Sequence, residues 1–278
     1  MTVLPAWSWQ FVAGHLPPVA AMPLESPITR EWAFGGATGA GVKVAVIDSG
    51  VDASHPAVGR VAWAVAVELD ADTGAISYVE GPHDDLYGHG TACAGLIRRA
   101  APDCDIYSVR VLGSKLSGRG QVFAAGLQWA IDNGMQVANL SLSSRRAAHF
   151  GLFHRLADAA YFANLSLVCA VNNVPAPSYP SQFAAVLSVA ARPGDADDPF
   201  DIDYNPTPPV EFGAPGVDLE VPWTQGRTIR ATGNSFACPH VAGVVACLLS
   251  KHPGLTPFQV KTVLHAVASN AVAGPQPR

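Results

Sequence analysis

The chain carries little charge for its length. Asp, Glu, Lys and Arg make up 14% of its 278 residues, whereas 49% are hydrophobic, and the net charge is −5. Because no long basic run occurs, nucleic acid and anionic membrane surfaces are not expected as partners. The most apolar stretch, residues 241–249, is too short to span a bilayer. The composition therefore predicts one large buried core and no membrane partner.

Two features of export are also missing from the sequence. Residues 1–14 lack the basic start and continuous apolar core of a secretory signal. The five cysteines are an odd number, and Cys169 and Cys247 lie in strongly apolar runs, which predicts buried, reduced thiols. Cys238 and His240 have no companion ligands for a zinc site. We therefore expect a cytoplasmic protein without a cofactor or metal.

Short apolar runs alternate with helical patterns along most of the chain. The runs predict strands at 42–47, 106–112, 136–142, 165–171 and 186–190, and the helical patterns fall at 90–99, 121–133 and 150–164. This alternation predicts a parallel sheet with helices on both faces, in which a site lies beyond the carboxyl ends of the strands.

Two segments stand apart from this alternation. Residues 1–26 are rich in Pro, Ala and aromatic side chains and form a distinct N-terminal extension. Residues 195–209 are rich in Asp and Pro, which predicts a surface loop. Its part at 195–203 could offer carboxylates to calcium, although a solvated loop is the favoured interpretation.

Three stretches each place one reactive residue type beside glycine. Residues 44–50 end a strand at Asp48, residues 88–91 contain His89, and residues 233–240 contain Ser235. A serine hydroxyl needs a base within hydrogen-bond reach, and the base needs an orienting partner. Singly, these residues could be a strand-end cap, a loop histidine and a helix cap. Together they favour a catalytic triad. We expect His89 to be its histidine, and we expect structural roles for the competing His55 and His240.

Read in chain order, the triad is Asp, His, Ser, as in subtilisin and unlike chymotrypsin or the α/β-hydrolases. Three further segments resemble elements of that family: a helix at 126–134, a substrate-binding strand at 137–142 and a turn at 214–217. From about residue 27 to 268 the chain thus resembles the subtilisin-like serine peptidases, or subtilases. The resemblance implies an α/β fold, a subtilisin-like three-layer α/β/α sandwich with a mainly parallel central sheet, as one catalytic domain at 27–278.

The resemblance also assigns roles. Asp48 would orient His89, His89 would act as general base and then acid, and Ser235 would be the nucleophile. Aligned through the later Tyr-Pro pair, Asn173 falls on the family's oxyanion asparagine, with Asn172 as the alternate. The substrate would bind as an extended strand along a pocket formed by Ser141, Leu142, Ser143, Ala170, Val171 and Asn172.

Some positions depart from the family pattern. Asn234 and Phe236 replace the usual Thr and Met around the nucleophile, and Cys93 matches the members that have a free cysteine beneath the catalytic histidine. Ala57 stands where a calcium-binding carboxylate is common. None of these changes removes a group that the triad chemistry requires.

The sequence therefore predicts a serine endopeptidase that works through an acyl-enzyme, with an intracellular role in processing peptides or precursors. Two alternatives remain at this stage. A peptide ligase or macrocyclase of the same fold would pass the acyl group to an amine, and a catalytically silent module would only bind peptide.

Overall fold

The computed structural model describes residues 27–194, 197–207 and 209–271, so the expected extension at 1–26 lies outside the described residues. The helices are α1 (Arg30–Phe34), α2 (His89–Ala100), α3 (Gly120–Asp132), α4 (Phe150–Phe162), α5 (Asn234–Lys251) and α6 (Pro257–Val267). The strands are β1 (Lys43–Asp48), β2 (Val61–Leu69), β3 (Ile76–Glu80), β4 (Asp105–Arg110), β5 (Val137–Leu140), β6 (Ser166–Ala170), β7 (Leu187–Arg192), β8 (Asp203–Tyr204), β9 (Phe212–Pro215), β10 (Leu219–Trp223) and β11 (Arg227–Ala231).

Nine strands form one sheet in the order β3-β2-β4-β1-β5-β6-β7-β9-β8. All neighbours pair in parallel except β2 with β3 and β8 with β9, at the two ends of the sheet. A separate hairpin, β10 with β11, precedes α5. Parallel pairing brings the carboxyl ends of β1, β5 and β6 to one edge of the sheet, which is where functional side chains are expected.

The central strand β1 shows how the layers are built. Val44 and Val46 face one core with α2 and α5, whereas Ala45 and Ile47 face a second core with α3 and α4. Side chains alternate between the faces of a strand, so a strand buried on both faces must be apolar throughout. The expected three-layer α/β/α sandwich is therefore confirmed.

The five predicted strands and three predicted helices all exist, with ends within two residues of the expected ones. The prediction that 195–209 is loop throughout was wrong in one place, because β8 lies inside that segment. Its two residues pair with β9, and the ring of Tyr204 packs edge-on against Phe212, with 5.7 Å between centroids. So short a strand depends on its partner rather than on its own sequence pattern.

Arginines neutralise three carboxylates of this acidic segment. Arg192 lies 2.6 Å from Asp201 and 2.7 Å from Asp203, and Arg30 lies 2.9 Å from Asp198. These pairs tie the segment to β7 and α1, so these three carboxylates have a structural role. The expectation that the protein binds no metal stays a prediction. Among the described residues, no helix combines the length and apolarity needed to cross a bilayer.

Candidate active site

A buried carboxylate and imidazole meet at the carboxyl edge of the sheet. Asp48 is the last residue of β1 and is fully buried, and His89 is the first residue of α2 and only 4% exposed. Nδ1 of His89 lies 2.9 Å from both carboxylate oxygens of Asp48. The backbone N–H of Ser49 also donates to the Asp48 carboxylate, at 2.8 Å. The predicted Asp–His pair is thus formed, with the carboxylate on the Nδ1 side of the ring.

Two glycines allow α2 to begin this close to β1. Gly88 has φ +118°, in the left-handed region, and a side chain there would overlap the indole of Trp223. A Cβ at Gly90 would overlap the carbonyl oxygen of Gly50 and lie 3.2 Å from Cβ of Asp48. The glycines on both sides of His89 therefore set its distance from the strand end.

Asp85 anchors the loop before His89, and the sequence analysis did not identify it. Its carboxylate accepts hydrogen bonds from the hydroxyls of Ser49 (2.7 Å) and Thr91 (2.6 Å) and from the backbone N–H groups of Gly88 (2.8 Å) and Thr91 (2.9 Å). The Ser49 hydroxyl in turn accepts from the N–H of Gly90, at 3.2 Å. One buried carboxylate thus links the end of β1, the loop and the first turn of α2.

Ser235 lies in the first turn of α5, next to the end of β5. Its carbonyl oxygen accepts a 2.8 Å hydrogen bond from the hydroxyl of Ser141, which itself accepts from Nδ2 of Asn139 at 3.0 Å. The ring of the next residue, Phe236, lies 5.3 Å from the His89 ring. The Ser235 hydroxyl is not hydrogen-bonded to His89 in this conformation. In unliganded catalytic sites that contact is often long and shortens when substrate binds.

Asn173 faces the same space as the Ser235 hydroxyl. Its Oδ1 accepts a 2.9 Å hydrogen bond from the backbone N–H of Asn234, which leaves its Nδ2 available as a donor. A Cβ built on Gly233 would lie 3.4 Å from Oγ of Ser235 and 3.6 Å from Nδ2 of Asn173. The alternate residue, Asn172, instead binds locally, because its Oδ1 accepts from the N–H of Val174 at 3.0 Å.

Asn234 fixes the strand ends around the nucleophile. Its Oδ1 accepts from the N–H of Ala191 at 2.8 Å, and its Nδ2 lies 3.1 Å from the carbonyl oxygens of both Val171 and Asn172. The departure from threonine at this position therefore supplies three hydrogen bonds. Two of them hold the segment that follows β6 against the start of α5, and the third holds the end of β7 there.

Cys93 lies beneath the Asp–His pair. Its Sγ is 3.9 Å from Asp48 Oδ2, 3.9 Å from His89 Nδ1 and 3.8 Å from the carbonyl oxygen of Ser235. Among the described residues, Asp48, His89 and Cys93 are the one group of three potential metal ligands, with their ligand atoms within 4.8 Å of one another. A structural zinc site has four ligands, and here two of the three already bind each other.

Opposing effects set the protonation of His89. Burial lowers its pKa because it disfavours the charged ring, but the Asp48 carboxylate outweighs burial and holds the pKa well above its ordinary value. His240, in contrast, is buried without such a partner, and burial lowers its pKa to about 4. His55 binds the carbonyl of Arg227 through Nε2, at 3.0 Å. The two competing histidines thus have the expected structural roles.

The expected substrate residues fall into two groups. Ser141, Leu142 and Ser143 line a cavity of about 720 Å³, and Ser141 connects it to Ser235 through the hydrogen bond to the Ser235 carbonyl. The other group, Ala170, Val171 and Asn172, lies at the end of the adjacent strand β6 and does not line this cavity. The two groups share the carboxyl edge of the sheet, since Leu140 pairs with Cys169.

Known proteins of one family are similar to this chain in sequence. The sequence model of the Subtilase family matches residues 39–277. The thermostable alkaline protease of Halalkalibacterium halodurans is 33% identical over 247 residues, which cover 84% of this chain and 64% of that protein. This chain therefore spans less than two thirds of the length of that relative. Subtilisin Savinase of Lederbergia lenta is 33% identical over 248 residues, covering 84% and 86% of the two chains.

A solved structure is also similar. The crystal structure of a cold adapted subtilisin-like serine proteinase superimposes with a TM-score of 0.64 at 27% identity, covering 84% of this chain and 86% of the other. Fold, motif order and sequence identity agree over most of the chain. The chain belongs to the subtilase family.

Proposed function

We propose that this chain hydrolyses internal peptide bonds through an acyl-enzyme, with Asp48, His89 and Ser235 as the catalytic triad. The observation that carries this proposal is the buried Asp48–His89 pair, with both oxygens 2.9 Å from Nδ1, at the edge where α5 presents Ser235. The carboxylate accepts a hydrogen bond from Nδ1–H, so when the ring loses its other proton its lone pair lies on Nε2. That nitrogen is the base.

The reaction follows from these positions. Oγ of Ser235 bonds to the carbonyl carbon of the substrate while its proton passes to Nε2 of His89. The tetrahedral intermediate then collapses, the C–N bond breaks, and His89 returns the proton to the leaving amine. A water molecule, deprotonated by His89, then attacks the acyl carbon. The bond to Oγ of Ser235 breaks, and His89 returns the proton to that oxygen. Asp48 stabilises the imidazolium each time it forms.

Two donors are suited to the oxyanion. Nδ2 of Asn173 is left available because its Oδ1 is held by the N–H of Asn234. The N–H of Ser235 lies in the first turn of α5, where backbone N–H groups have no partner within the helix. Donors that are fixed before the charge develops stabilise it without reorganisation, which supports Asn173 rather than Asn172 in this role.

The peptide substrate would lie in an extended conformation along residues 141–143. Ser141 is held by hydrogen bonds to Asn139 and Ser235, so this segment is fixed relative to the nucleophile. An extended peptide can add to such an edge through backbone hydrogen bonds. Chemically, the same acyl-enzyme could be intercepted by an amine, and the products distinguish ligation from hydrolysis.

Replacing Ser235 by Ala removes the nucleophile. We expect turnover of a peptide substrate to fall by about 10⁶-fold, the loss found for the equivalent serine in subtilisin. Thermal unfolding should be unchanged, because no side-chain hydrogen bond of the folded state is lost. Ser77→Ala, on the exposed strand β3, is the matched control and should keep full activity. A fluorophosphonate should label Ser235 alone. Residual activity above a small percentage, or labelling of Ser235→Ala, contradicts the assignment.

Replacing the two asparagines separately tests the oxyanion donor. Asn173→Ala should lower kcat by about 10²–10³ with little change in KM, as removal of this type of donor does in subtilisin. Asn172→Ala should cost less, because its side chain accepts only from the N–H of Val174. The measurement is steady-state kinetics of both variants on one peptide. The opposite ranking would move the role to Asn172.

Cys93 should make the enzyme sensitive to mercurials. Bulk on its sulfur would push against Nδ1 of His89, 3.9 Å away. Because the thiol is fully buried and burial raises its pKa, we expect slow, time-dependent loss of activity. Cys93→Ala should stay active and resist the reagent, whereas Cys104→Ala, a buried thiol outside the site, should behave like the wild type. Undiminished inhibition of Cys93→Ala would assign the effect to another cysteine.

We also propose that the protein processes peptides or precursors in the cytoplasm. The support is chemical: Cys93, Cys104, Cys169, Cys238 and Cys247 are all buried and unpaired, the form that reducing compartments maintain. Fractionation of the producing cells should recover the chain with cytoplasmic markers. Recovery from the medium or the cell envelope would contradict this location and leave the catalytic proposal untouched.

A further inference from the structure

The cavity lined by Ser141, Leu142 and Ser143 has a distinctive charge. One side is formed by residues 112–123, between β4 and the first turn of α3, and the other by residues 141–149. Those two stretches contain Lys115, Arg119, Arg145 and Arg146 and no Asp or Glu. Four of the chain's 17 basic residues are thus gathered here, in a protein whose net charge is −5. The local charge therefore has the opposite sign to that of the whole molecule.

Two of these basic side chains, Arg119 and Arg146, line the cavity itself. Neither forms an ion pair with any residue in the described part of the chain. Three other arginines, Arg30, Arg192 and Arg230, instead contact a carboxylate within 3 Å. A guanidinium binds carboxylates in a bidentate manner. Two guanidinium groups without an ion-pair partner at one cavity can therefore bind an anionic group.

His149 also lines the cavity, and its position is fixed. Its Nδ1 lies 2.8 Å from the hydroxyl of Ser144, and its ring lies against Gly120, where any side chain would overlap it. Gly120 is also the first residue of α3, a helix of 13 residues, so the positive end of that helix points to the same space. The apolar side chains of Leu112, Leu142 and Phe123 complete the wall.

We propose that this cavity is a specificity subsite for an acidic side chain of the substrate, on the amino-terminal side of the scissile bond. The inference rests on the proposed peptidase function. The side of the bond follows from residues 141–143, which line the cavity and are also expected to bind the residue before the bond. Arg119 and Arg146 receive the carboxylate, and the apolar wall contacts the methylene groups of a glutamate.

The arginines are exposed, so solvent reduces the size of the effect. Exposed ion pairs contribute little, whereas charge-assisted hydrogen bonds that lose water are about twice as strong as neutral ones. With two arginines and a helix terminus acting together, we expect kcat/KM to favour glutamate over glutamine by about fivefold at low salt. At about 1 M salt, where the screening length is about 3 Å, this preference should fall towards one.

The experiment compares peptides that differ at one position. A fluorogenic peptide that the protein cleaves is substituted with Glu, Gln, Lys or Leu, in turn at each position before the scissile bond. The expected result is one position at which Glu exceeds Gln and Lys is poorest. The same peptides are titrated into Ser235→Ala by fluorescence anisotropy, so that binding is measured without cleavage.

Variants identify the groups responsible. The double variant with Arg119→Gln and Arg146→Gln should reduce the Glu-to-Gln ratio of kcat/KM to about one. The double variant with Arg119→Glu and Arg146→Glu should cleave the Lys peptide better than the Glu peptide. Arg119→Lys with Arg146→Lys should keep part of the preference. Arg155→Gln, an exposed arginine on α4 away from the cavity, is the control for a general charge effect.

The outcomes separate the two claims. Cleavage with no preference for Glu at any position, or with Leu best at the position where the arginine variants act, overturns the subsite and leaves the peptidase function standing. A preference for Glu in binding without any cleavage supports the subsite and contradicts the peptidase function. Absence of both cleavage and selective binding overturns the subsite as well.

Discussion

A buried charge at the end of the central strand governs the architecture of this site. The Asp48 carboxylate is fully buried and therefore must be neutralised or hydrogen-bonded where it lies. His89 and the N–H of Ser49 do this, at 2.9 and 2.8 Å. Removing one partner of a buried ion pair costs about 3–5 kcal/mol, a large fraction of the 5–15 kcal/mol by which domains are typically stable. Catalytic geometry and folding stability are thus linked through one contact.

The supporting residues act by fixing the elements that carry this contact. Asp85 binds the strand end, the preceding loop and the first turn of α2, so the position of His89 relative to Asp48 has little freedom. On the other side, Asn234 binds the segment after β6 and the end of β7, which fixes α5 and with it Ser235. Each half of the site is therefore held by one polar side chain with several backbone partners, and the parallel sheet sets the distance between the halves.

How much of this was predictable depends on the range of the interactions. Asp48, His89 and Ser235 stand in local glycine contexts that the chemistry itself requires, and β1 is apolar throughout because both of its faces are buried. The role of Asp85 depends on contacts with Ser49, 36 residues away in the chain. No spacing in a single sequence encodes such a pairing, and a carboxylate before the histidine motif was the only available signal. The strand β8 was missed for the same reason, since it exists through its pairing with β9.

Cys93 shows what the site tolerates at its centre. A thiolate there would compete with Asp48 for the imidazolium of His89 and would draw the proton away from the base. Burial prevents this, because it raises the pKa of the thiol and keeps it neutral. A neutral cysteine behaves as a small hydrophobic side chain, and it fits between α2 and α5 without adding charge. The exclusion of water that strengthens the attraction between Asp48 and His89 therefore also keeps the neighbouring thiol uncharged.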